Sequence, residues 1–437
     1  MRQVSLRRLR SDPLRVFAAE ADRQGPVAEM RFGRQRIFYV STPEAVEDMF
    51  IRHADSLVKW GRARRWWIWR PKAFEKGRFL FNREKRKHLA ARRQVRPAFA
   101  GPHVAADVPA HAELTENVLS QIVRRTGGQV DLWQLAGALV VSGTAFSLMG
   151  VKLDAEPASE YAAATAPTTP VLYAFYSWGS TLLQIVFHPI SLLRQIGHYR
   201  KVYKIVKRFP DHGLLGAALA DMPLIQRVLH STLLLQAATT PEVLTKMFIY
   251  VSQPEVVREL RGEIDSLPKT EPLTAETLDQ LVKCQRAVKE VLRLGSGWHI
   301  SRMVERPFSA LGVDFRVGDF VTCSPILMHA DPRYWDRPTV FDLSRWEKPI
   351  ARYTFFPFGF GASTCLGQPL AETQLVLTLI AVLRDWDVHV DPELQDAPWE
   401  MGLRGDTILP SVPMVASFQA RSVTGREQRV QVGALRA

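Results

Sequence analysis

A single cysteine in a glycine-rich loop constrains this chain more than any other feature of its sequence. Cys365 is preceded by Gly359 and Gly361 and followed by Gly367, and residues 368–383 then have the pattern of a helix. Glycines let a backbone fold tightly against a flat partner, and amide dipoles at a helix N-terminus stabilise a thiolate. The loop therefore predicts a cysteine held as an axial ligand of haem iron. The alternative is a buried structural cysteine beside a tight turn.

Length and composition predict one large domain spanning residues 1–437. The sequence has 46% hydrophobic residues and shows neither a linker rich in Pro, Gly or Ser nor an internal repeat. Residues 1–12 and 422–437 are expected to be loose termini. The first twelve residues are basic and polar, without the apolar run of a signal peptide or a membrane anchor. Three cysteines give no disulfide framework, so we expect a cytoplasmic enzyme.

The net charge of +13 raises the question of an acidic partner. Basic residues crowd the segment from Arg62 to Arg96, and nucleic-acid binding is the first interpretation of such a segment. No nucleic-acid recognition fold is evident around them, so no nucleic-acid partner is expected. For most individual Lys and Arg side chains, a solvated helix face is the simpler explanation.

The apolar spacing predicts mainly α structure with small antiparallel β-sheets. A helix over residues 282–294 places Glu290 and Arg293 on one face as an i,i+3 pair. The other expected elements are a hairpin over 30–41, a short Thr-capped helix over 43–52, a basic helix over 83–94, helices through Leu119, Leu139 and Leu148, and strands near Phe315, 320–324, Val388 and Val415.

The chain resembles the cytochrome P450 haem-thiolate enzymes from about Asp12 to its C-terminal strands. The resemblance is carried by three motifs: Phe358-x-x-Gly361-x-x-x-Cys365-x-Gly367, which is similar to the family's ligand loop; Glu290-Val291-Leu292-Arg293, similar to its Glu-x-x-Arg helix; and Phe341-Asp342-Leu343-Ser344-Arg345-Trp346, similar to the segment that supplies a second arginine. Glu-x-x-Arg alone has no specificity, but the three motifs together are highly specific. The resemblance implies the cytochrome P450 fold.

The resemblance also implies a set of haem-binding residues. Cys365 would ligate the iron of one haem b, within a loop shaped by Phe358, Gly361 and Gly367. The haem propionates would contact His88, Arg92 and Arg302, because propionates need cationic or hydrogen-bonding partners. The family usually has His or Arg two residues before the cysteine, where this chain has Ser363, so one contact is weakened or supplied elsewhere.

A buried charge network is implied behind the ligand loop. Glu290, Arg293 and Arg345 would form it, since an unpaired buried charge is very costly. Their expected role is folding and haem retention rather than chemistry. An ordinary surface ion pair is the alternative.

The distal helix departs from the family pattern. Thr239 stands where the family has its oxygen-activating threonine, Gln236 replaces a small residue, and Ala238 replaces the acid that normally precedes the threonine. The obvious proton source is therefore missing. Pro241 lacks an N–H and its ring clashes with the carbonyl of Ala237, so we expect a helix kink there. Thr239 and Gln236 are the candidate catalytic residues, with an ordinary helical Thr239 as the alternative.

Aromatic residues fall where the family places its substrate-lining segments. The candidate pocket residues are Trp66, Trp67, Trp69, Tyr173, Trp178 and Trp298, with Ala237 and Ala238 of the distal helix. Together they suggest a large lipophilic substrate, and their ring faces would also attract a carbocation. For any one Trp, simple packing is the alternative. For residues 171–193, an apolar segment followed by basic residues, shallow insertion into a membrane surface is a rival interpretation.

Three functions remain open from the sequence. The first is monooxygenation of a bulky lipophilic substrate of terpenoid, steroid or polyketide type in specialised metabolism. Its electrons would come from NAD(P)H through a reductase and an acidic ferredoxin that meets the basic surface. The second is a redox-neutral cyclisation or isomerisation on the same fold, because the distal acid is absent. The third is a haem-containing binding or sensor protein without catalysis.

Overall fold

The computed structural model describes residues 12–32, 35–58, 85–165, 213–219, 239–268, 271–295, 297, 299–395, 399–401 and 408–421. Helices dominate this part of the chain. They are α1 (Pro13–Gln24), α2 (Pro43–Glu47), α3 (Lys85–Val95), α4 (Gly101–Arg125), α5 (Leu132–Met149), α6 (Ala155–Thr165), α7 (Gly213–Leu219), α8 (Thr240–Val251), α9 (Pro254–Ile264), α10 (Ala275–Gln280), α11 (Val282–Gly295), α12 (Pro325–His329) and α13 (Gln368–Asp385).

Within the described residues the strands are short and form four small sheets. They are β1 (Val27–Phe32), β2 (Gln35–Val40), β3 (Leu57–Val58), β4 (Gln129–Asp131), β5 (Ile300–Val304), β6 (Phe308–Ala310), β7 (Val313–Phe315), β8 (Phe320–Cys323), β9 (Trp386–Val390), β10 (Trp399–Met401), β11 (Ile408–Pro410) and β12 (Val415–Ala420). The prediction of a mainly α fold with small sheets is confirmed.

The largest sheet has five strands in the order β1-β2-β8-β5-β3. The predicted hairpin is confirmed as the antiparallel pair β1–β2, which begins three residues earlier than expected, with Val27 opposite Val40. Strands β2 and β8 run parallel, with Ile37 opposite Phe320, so this sheet is mixed rather than purely antiparallel. Strand β5 pairs antiparallel with β8 and places Arg302 opposite Val321.

Two hydrophobic cores meet at the ligand loop. The larger core lies among helices α4, α5, α8, α9, α11 and α13. The second lies against the five-stranded sheet and includes Phe356 and Phe360, while Phe358 and Leu366 pack against the first core. Alternate residues of the loop that carries Cys365 are therefore anchored in different cores, which fixes the loop from both sides.

Helix α5 is the one described helix that is long and apolar enough to cross a membrane, and 78% of its apolar window is buried inside the structure. Its buried faces pack against α4, α6 and α8. A Cβ at Gly143 would lie 2.2 Å from Nε2 of His111 on α4, so only glycine permits this approach of the two helices. Helix α5 is thus a core element of the fold.

Two helix starts have clear causes, and only the first was predicted. The expected helix over 43–52 is confirmed as α2 followed by a π-helical turn, Asp48–Arg52, and Thr42 Oγ1 accepts a hydrogen bond of 3.3 Å from the N–H of Ala45. Helix α8 begins at Thr240, so Pro241 occupies its first turn. A proline costs little there because its missing N–H would have no helical partner. The kink expected at Pro241 is thus not found in the described helix, and Ala237 lies outside the described residues.

Candidate active site

The loop around Cys365 is held by its own backbone. The N–H of Cys365 donates to the carbonyl of Phe358 at 2.8 Å, and the N–H of Gly359 donates to the carbonyl of Phe356 at 3.0 Å. Gly359 and Gly361 have φ angles of +73° and +65°, a region that side chains other than glycine rarely adopt. The loop conformation therefore depends on these two glycines.

Cys365 is exposed at the start of a long helix. The residue lies three positions before α13, which extends to Asp385, and Gly367 is the residue that precedes the helix. A Cβ at Gly367 would lie 3.8 Å from Cys365 Sγ and 3.9 Å from the Phe99 ring. The exposed thiol disagrees with a buried structural cysteine. It agrees with a thiolate that the helix N-terminus stabilises.

Arg92 of helix α3 reaches this loop. Its Nη2 donates to the carbonyl oxygen of Thr364, the residue before Cys365. Burial lowers the pKa of Arg92, the charge of Arg96 acts in the same direction, and negative charge on Cys365 opposes both. A cation at this position favours a thiolate on Cys365.

Glu290 is the centre of the charge network behind the loop. Its carboxylate accepts hydrogen bonds of 2.7 and 2.9 Å from Arg293 and one of 3.1 Å from Nε of Arg345. It also accepts bonds of 3.1 Å from Nε1 of Trp346 and from the N–H of Asp342. The side chains of Glu290 and Arg293 are 0% exposed and that of Arg345 is 7% exposed. The structure therefore brings the three predicted residues together, and it adds two donors that the sequence did not indicate.

His329, which the sequence analysis missed, lies between this network and the ligand loop. Its Nδ1 is 3.1 Å from the carbonyl oxygen of Arg293, and its Nε2 accepts a hydrogen bond of 3.0 Å from the N–H of Phe356. Nη1 of Arg293 in turn donates to the carbonyl oxygen of His329 at 2.7 Å. Burial lowers the pKa of His329 to about 3, so the imidazole is neutral near pH 7.

Arg302 and His299 lie on and just before strand β5. Nη1 of Arg302 donates to the carbonyl of Ser301 at 2.8 Å. Burial lowers the pKa of Arg302 to about 10, with the nearby Cys323 acting in the opposite direction, and the group remains a cation at pH 7. Burial and the charge of Arg302 lower the pKa of His299 to about 4. His299 was not predicted, because its position immediately before strand β5 has no sequence signal of its own.

Thr239 lies at the start of α8, against the segment that links α11 to β5. A Cβ at Gly297 would be 3.9 Å from Cγ2 of Thr239, and the Thr239 residue is exposed. Glu242, in the first turn of the same helix, is buried and forms a 2.9 Å ion pair with Lys246. The acid nearest to Thr239 in the described sequence is thus held by a lysine.

Other predicted site residues fall outside the described part of the chain. These are Gln236, Ala237 and Ala238 of the distal segment, and Trp66, Trp67, Trp69, Tyr173, Trp178 and Trp298 of the expected pocket. His88 lies within α3, but its side chain is also outside the described part. Their roles stay predictions.

The donor set fits haem. An exposed thiol at a helix N-terminus suits an iron ligand, the partly buried guanidiniums of Arg92 and Arg302 suit carboxylate groups, and the positive φ angles of Gly359 and Gly361 suit a loop pressed against a flat ring. Fold and site together define the haem-thiolate class.

The comparisons with known proteins agree with this class. The family model for cytochrome P450 matches residues 236–415. Cyclooctat-9-en-7-ol 5-monooxygenase of Streptomyces melanosporofaciens is 24% identical over 415 residues, which cover 86% of this chain and 85% of that protein. Cytochrome P450 7B1 of Mus musculus is 33% identical over 180 residues, 35% of this chain and 36% of that one. Cytochrome P450 3A5 of Homo sapiens is 30% identical over 192 residues, 43% of this chain and 38% of that one.

Residues 236–415 therefore match the cytochrome P450 family, and the fold and site of the chain fit those of a haem-thiolate enzyme. The chain spans most of the Streptomyces relative but less than half the length of these two mammalian relatives. The match to the family model covers the C-terminal region that carries Glu290, Arg345 and Cys365.

Proposed function

We propose that this protein is a monooxygenase that inserts oxygen into a bulky lipophilic substrate of terpenoid, steroid or polyketide type, in specialised metabolism. The single observation that carries the proposal is the exposed Cys365 thiol, held in its loop between the buried Glu290 network and the N-terminus of α13. The names of two relatives support the substrate class, since one is a cyclooctat-9-en-7-ol monooxygenase and another a 25-hydroxycholesterol 7-alpha-hydroxylase.

Different residues of the chain would bind the iron, bind the propionates and hold the ligand loop. Haem b, when bound, supplies the iron at which dioxygen is activated. Cys365 would bind that iron through its thiolate. Arg302 and Arg92 would pair with the propionates, as charge-assisted hydrogen bonds require, and His88 would join them. The Glu290 network would hold the loop in place without contacting the substrate.

Proton supply would rest on Thr239. The position before it is an alanine, Ala238, and Glu242 is bound to Lys246, so neither neighbour offers a free carboxylic acid. We propose that the Thr239 hydroxyl holds a water molecule through Oγ1 and that protons reach the site through water. Gln236 would be a second polar group on the same segment.

An acidic ferredoxin would supply electrons from NAD(P)H through its reductase. Arg93 and Arg96 are exposed beside Arg92, close in sequence to the contact with the ligand loop. Opposite charges on the partner would steer association to this basic surface.

We further propose a cytoplasmic protein with a peripheral membrane contact through residues 171–193, which are followed by Arg194, Arg200, Lys201 and Lys204. Sedimentation with anionic lipid vesicles tests this contact. Binding at low ionic strength that is lost in high salt is expected, and no binding at low ionic strength would reject it.

Turnover with labelled dioxygen tests the monooxygenase directly. The purified protein, with ferredoxin, reductase and NAD(P)H, is offered a panel of cyclic terpenoids, steroids and polyketides. Each product should carry one labelled oxygen atom, and NAD(P)H and oxygen should be consumed in step with it. A product without the label would contradict the proposal.

A redox-neutral cyclase or isomerase is the second candidate. The ion pair of Glu242 with Lys246 favours it, because this carboxylate is then not free to supply protons for oxygen activation. An aromatic pocket would then stabilise a developing carbocation. The anaerobic assay without reductant separates the two functions. A cyclase would still form an isomer of its substrate, whereas a monooxygenase would form nothing.

A further inference from the structure

His329 joins two parts of the fold that are far apart in sequence. It ends helix α12, and its ring lies between the carbonyl oxygen of Arg293, 36 residues away, and the N–H of Phe356, 27 residues away. Arg293 belongs to the helix that carries Glu290, and Phe356 begins the segment that leads to Cys365. The imidazole therefore bridges the charge network and the ligand loop.

The two hydrogen bonds determine the tautomer of the ring. The N–H of Phe356 can only donate, so Nε2 of His329 must accept and carries no proton. The carbonyl of Arg293 can only accept, so Nδ1 carries the proton and donates. A neutral ring satisfies both partners, and the adjacent guanidinium of Arg293 disfavours a second proton.

The bridge continues through the backbone to Cys365. The carbonyl of Phe356 accepts from the N–H of Gly359, and the carbonyl of Phe358 accepts from the N–H of Cys365. Residues 356–359 thus form one turn whose first N–H is held by His329. A shift of Phe356 would displace the carbonyl to which the Cys365 amide is bound.

We propose that His329, as the neutral Nδ1–H tautomer, is a positioning residue. It would fix the position of the Cys365 thiolate relative to helix α11, which carries Glu290. The determining contact is the acceptor Nε2 on the N–H of Phe356. This role rests on Cys365 as the haem ligand and is independent of the substrate and the reaction proposed above.

Two substitutions separate the two hydrogen bonds. The amide oxygen of His329→Gln reaches the position of Nε2 and can accept from Phe356, whereas the amide of His329→Asn reaches only the position of Nδ1 and can donate to Arg293. The readout is the fraction of haem that gives the strongly red-shifted Soret band of the reduced carbon monoxide complex. His329→Gln should retain most of that fraction, and His329→Asn should lose at least half.

Two control variants exclude general effects. Trp335 packs edge-on against the His329 ring, and its Nε1 has no hydrogen-bond partner within the described residues. Trp335→Phe therefore disturbs the packing of the ring without removing a hydrogen bond, and it should keep the red-shifted band. His389→Asn repeats the Asn substitution at an exposed position on β9 and should change nothing.

Equal behaviour of His329→Gln and His329→Asn, whether both keep or both lose the band, would overturn the proposal. A loss in Trp335→Phe as large as that in His329→Asn would show a packing role instead and would also overturn it. Amide hydrogen exchange of the wild-type protein provides a test without any variant. The Phe356 amide should exchange slowly, and rapid exchange would overturn the proposal even if neither His329 variant folded.

Discussion

Glu290 and Arg293 lie one turn apart on helix α11, and the carboxylate of the first accepts two hydrogen bonds, of 2.7 and 2.9 Å, from the guanidinium of the second. Neither side chain has any exposure to solvent. The pair carries further donors and acceptors from elsewhere in the fold, including Arg345 and the carbonyl of Pro338 at 2.6 Å. A buried ion pair persists when every charge in it is paired and hydrogen-bonded.

Glu290→Gln should destabilise the fold strongly. It removes the carboxylate charge that is ion-paired with both Arg293 and Arg345, and breaking a buried pair costs about 3–5 kcal/mol. Chemical unfolding of the haem-loaded protein measures the loss. Arg337→Gln is the matched control, because its side chain is 63% exposed in its ion pair with Asp342, and such surface pairs contribute about 0–1 kcal/mol. Equal losses in the two variants would contradict the network's role.

Stability should fall in acid because of His111. Burial lowers the pKa of His111 in the fold to about 4, below its value of about 6.5 in an unfolded chain. Because the pKa is lower in the fold, the neutral His111 ring makes its full contribution to stability above about pH 6.5. That contribution is lost as the pH falls towards 4. Between about pH 7.5 and about pH 5 the loss from this one group is roughly 2 kcal/mol.

His111→Gln isolates this contribution. The variant should lose less stability than the wild-type protein over the same pH interval. Its absolute stability should be lower, because the space beside Gly143 is shaped to the imidazole ring of His111. Unfolding in urea at the two pH values gives the comparison. Identical pH dependence in both proteins would show that His111 does not titrate as its burial requires.

Arg302→Ala should weaken haem retention. A propionate left without its cation in a poorly solvated site costs about 2–5 kcal/mol, so haem should transfer faster to an apo-globin acceptor. Arg316→Ala, at an exposed position beyond strand β7, provides the control. An unchanged transfer rate for Arg302→Ala would reject its role at the propionates.

Much of this structure follows from local sequence patterns, and the rest depends on contacts across the chain. The α11 helix, the β1–β2 hairpin and the loop before α13 have periodicity or glycines that predict them. His329 has no such signal, since its partners Arg293 and Phe356 are distant in sequence.

Pro241 shows the same limit in another way. A proline interrupts a helix both when it kinks the middle of one helix and when it occupies the first turn of a new one. The sequence alone does not distinguish these two arrangements. The structure shows that turn, at the start of α8. Trp346, which donates to Glu290, likewise has no local pattern that sets it apart from a packing residue.

Thr239→Ala should uncouple turnover. The hydroxyl is a fixed donor next to Ala238, which stands in place of an acid, so its loss removes the group that would hold the proton-delivering water. NAD(P)H oxidation should continue with release of peroxide while product falls, and Thr239→Ser should restore coupling. Unchanged product yield in Thr239→Ala would indicate that the site performs no oxygen chemistry.

The central claim is that Cys365 binds haem iron as a thiolate, and the spectrum of the reduced carbon monoxide complex tests it most directly. The wild-type protein should show the strongly red-shifted Soret band of thiolate ligation, and Cys365→Ser should lose it while keeping the same far-ultraviolet circular dichroism. A wild-type protein without that band, or a Cys365→Ser variant that retains it, would contradict the account.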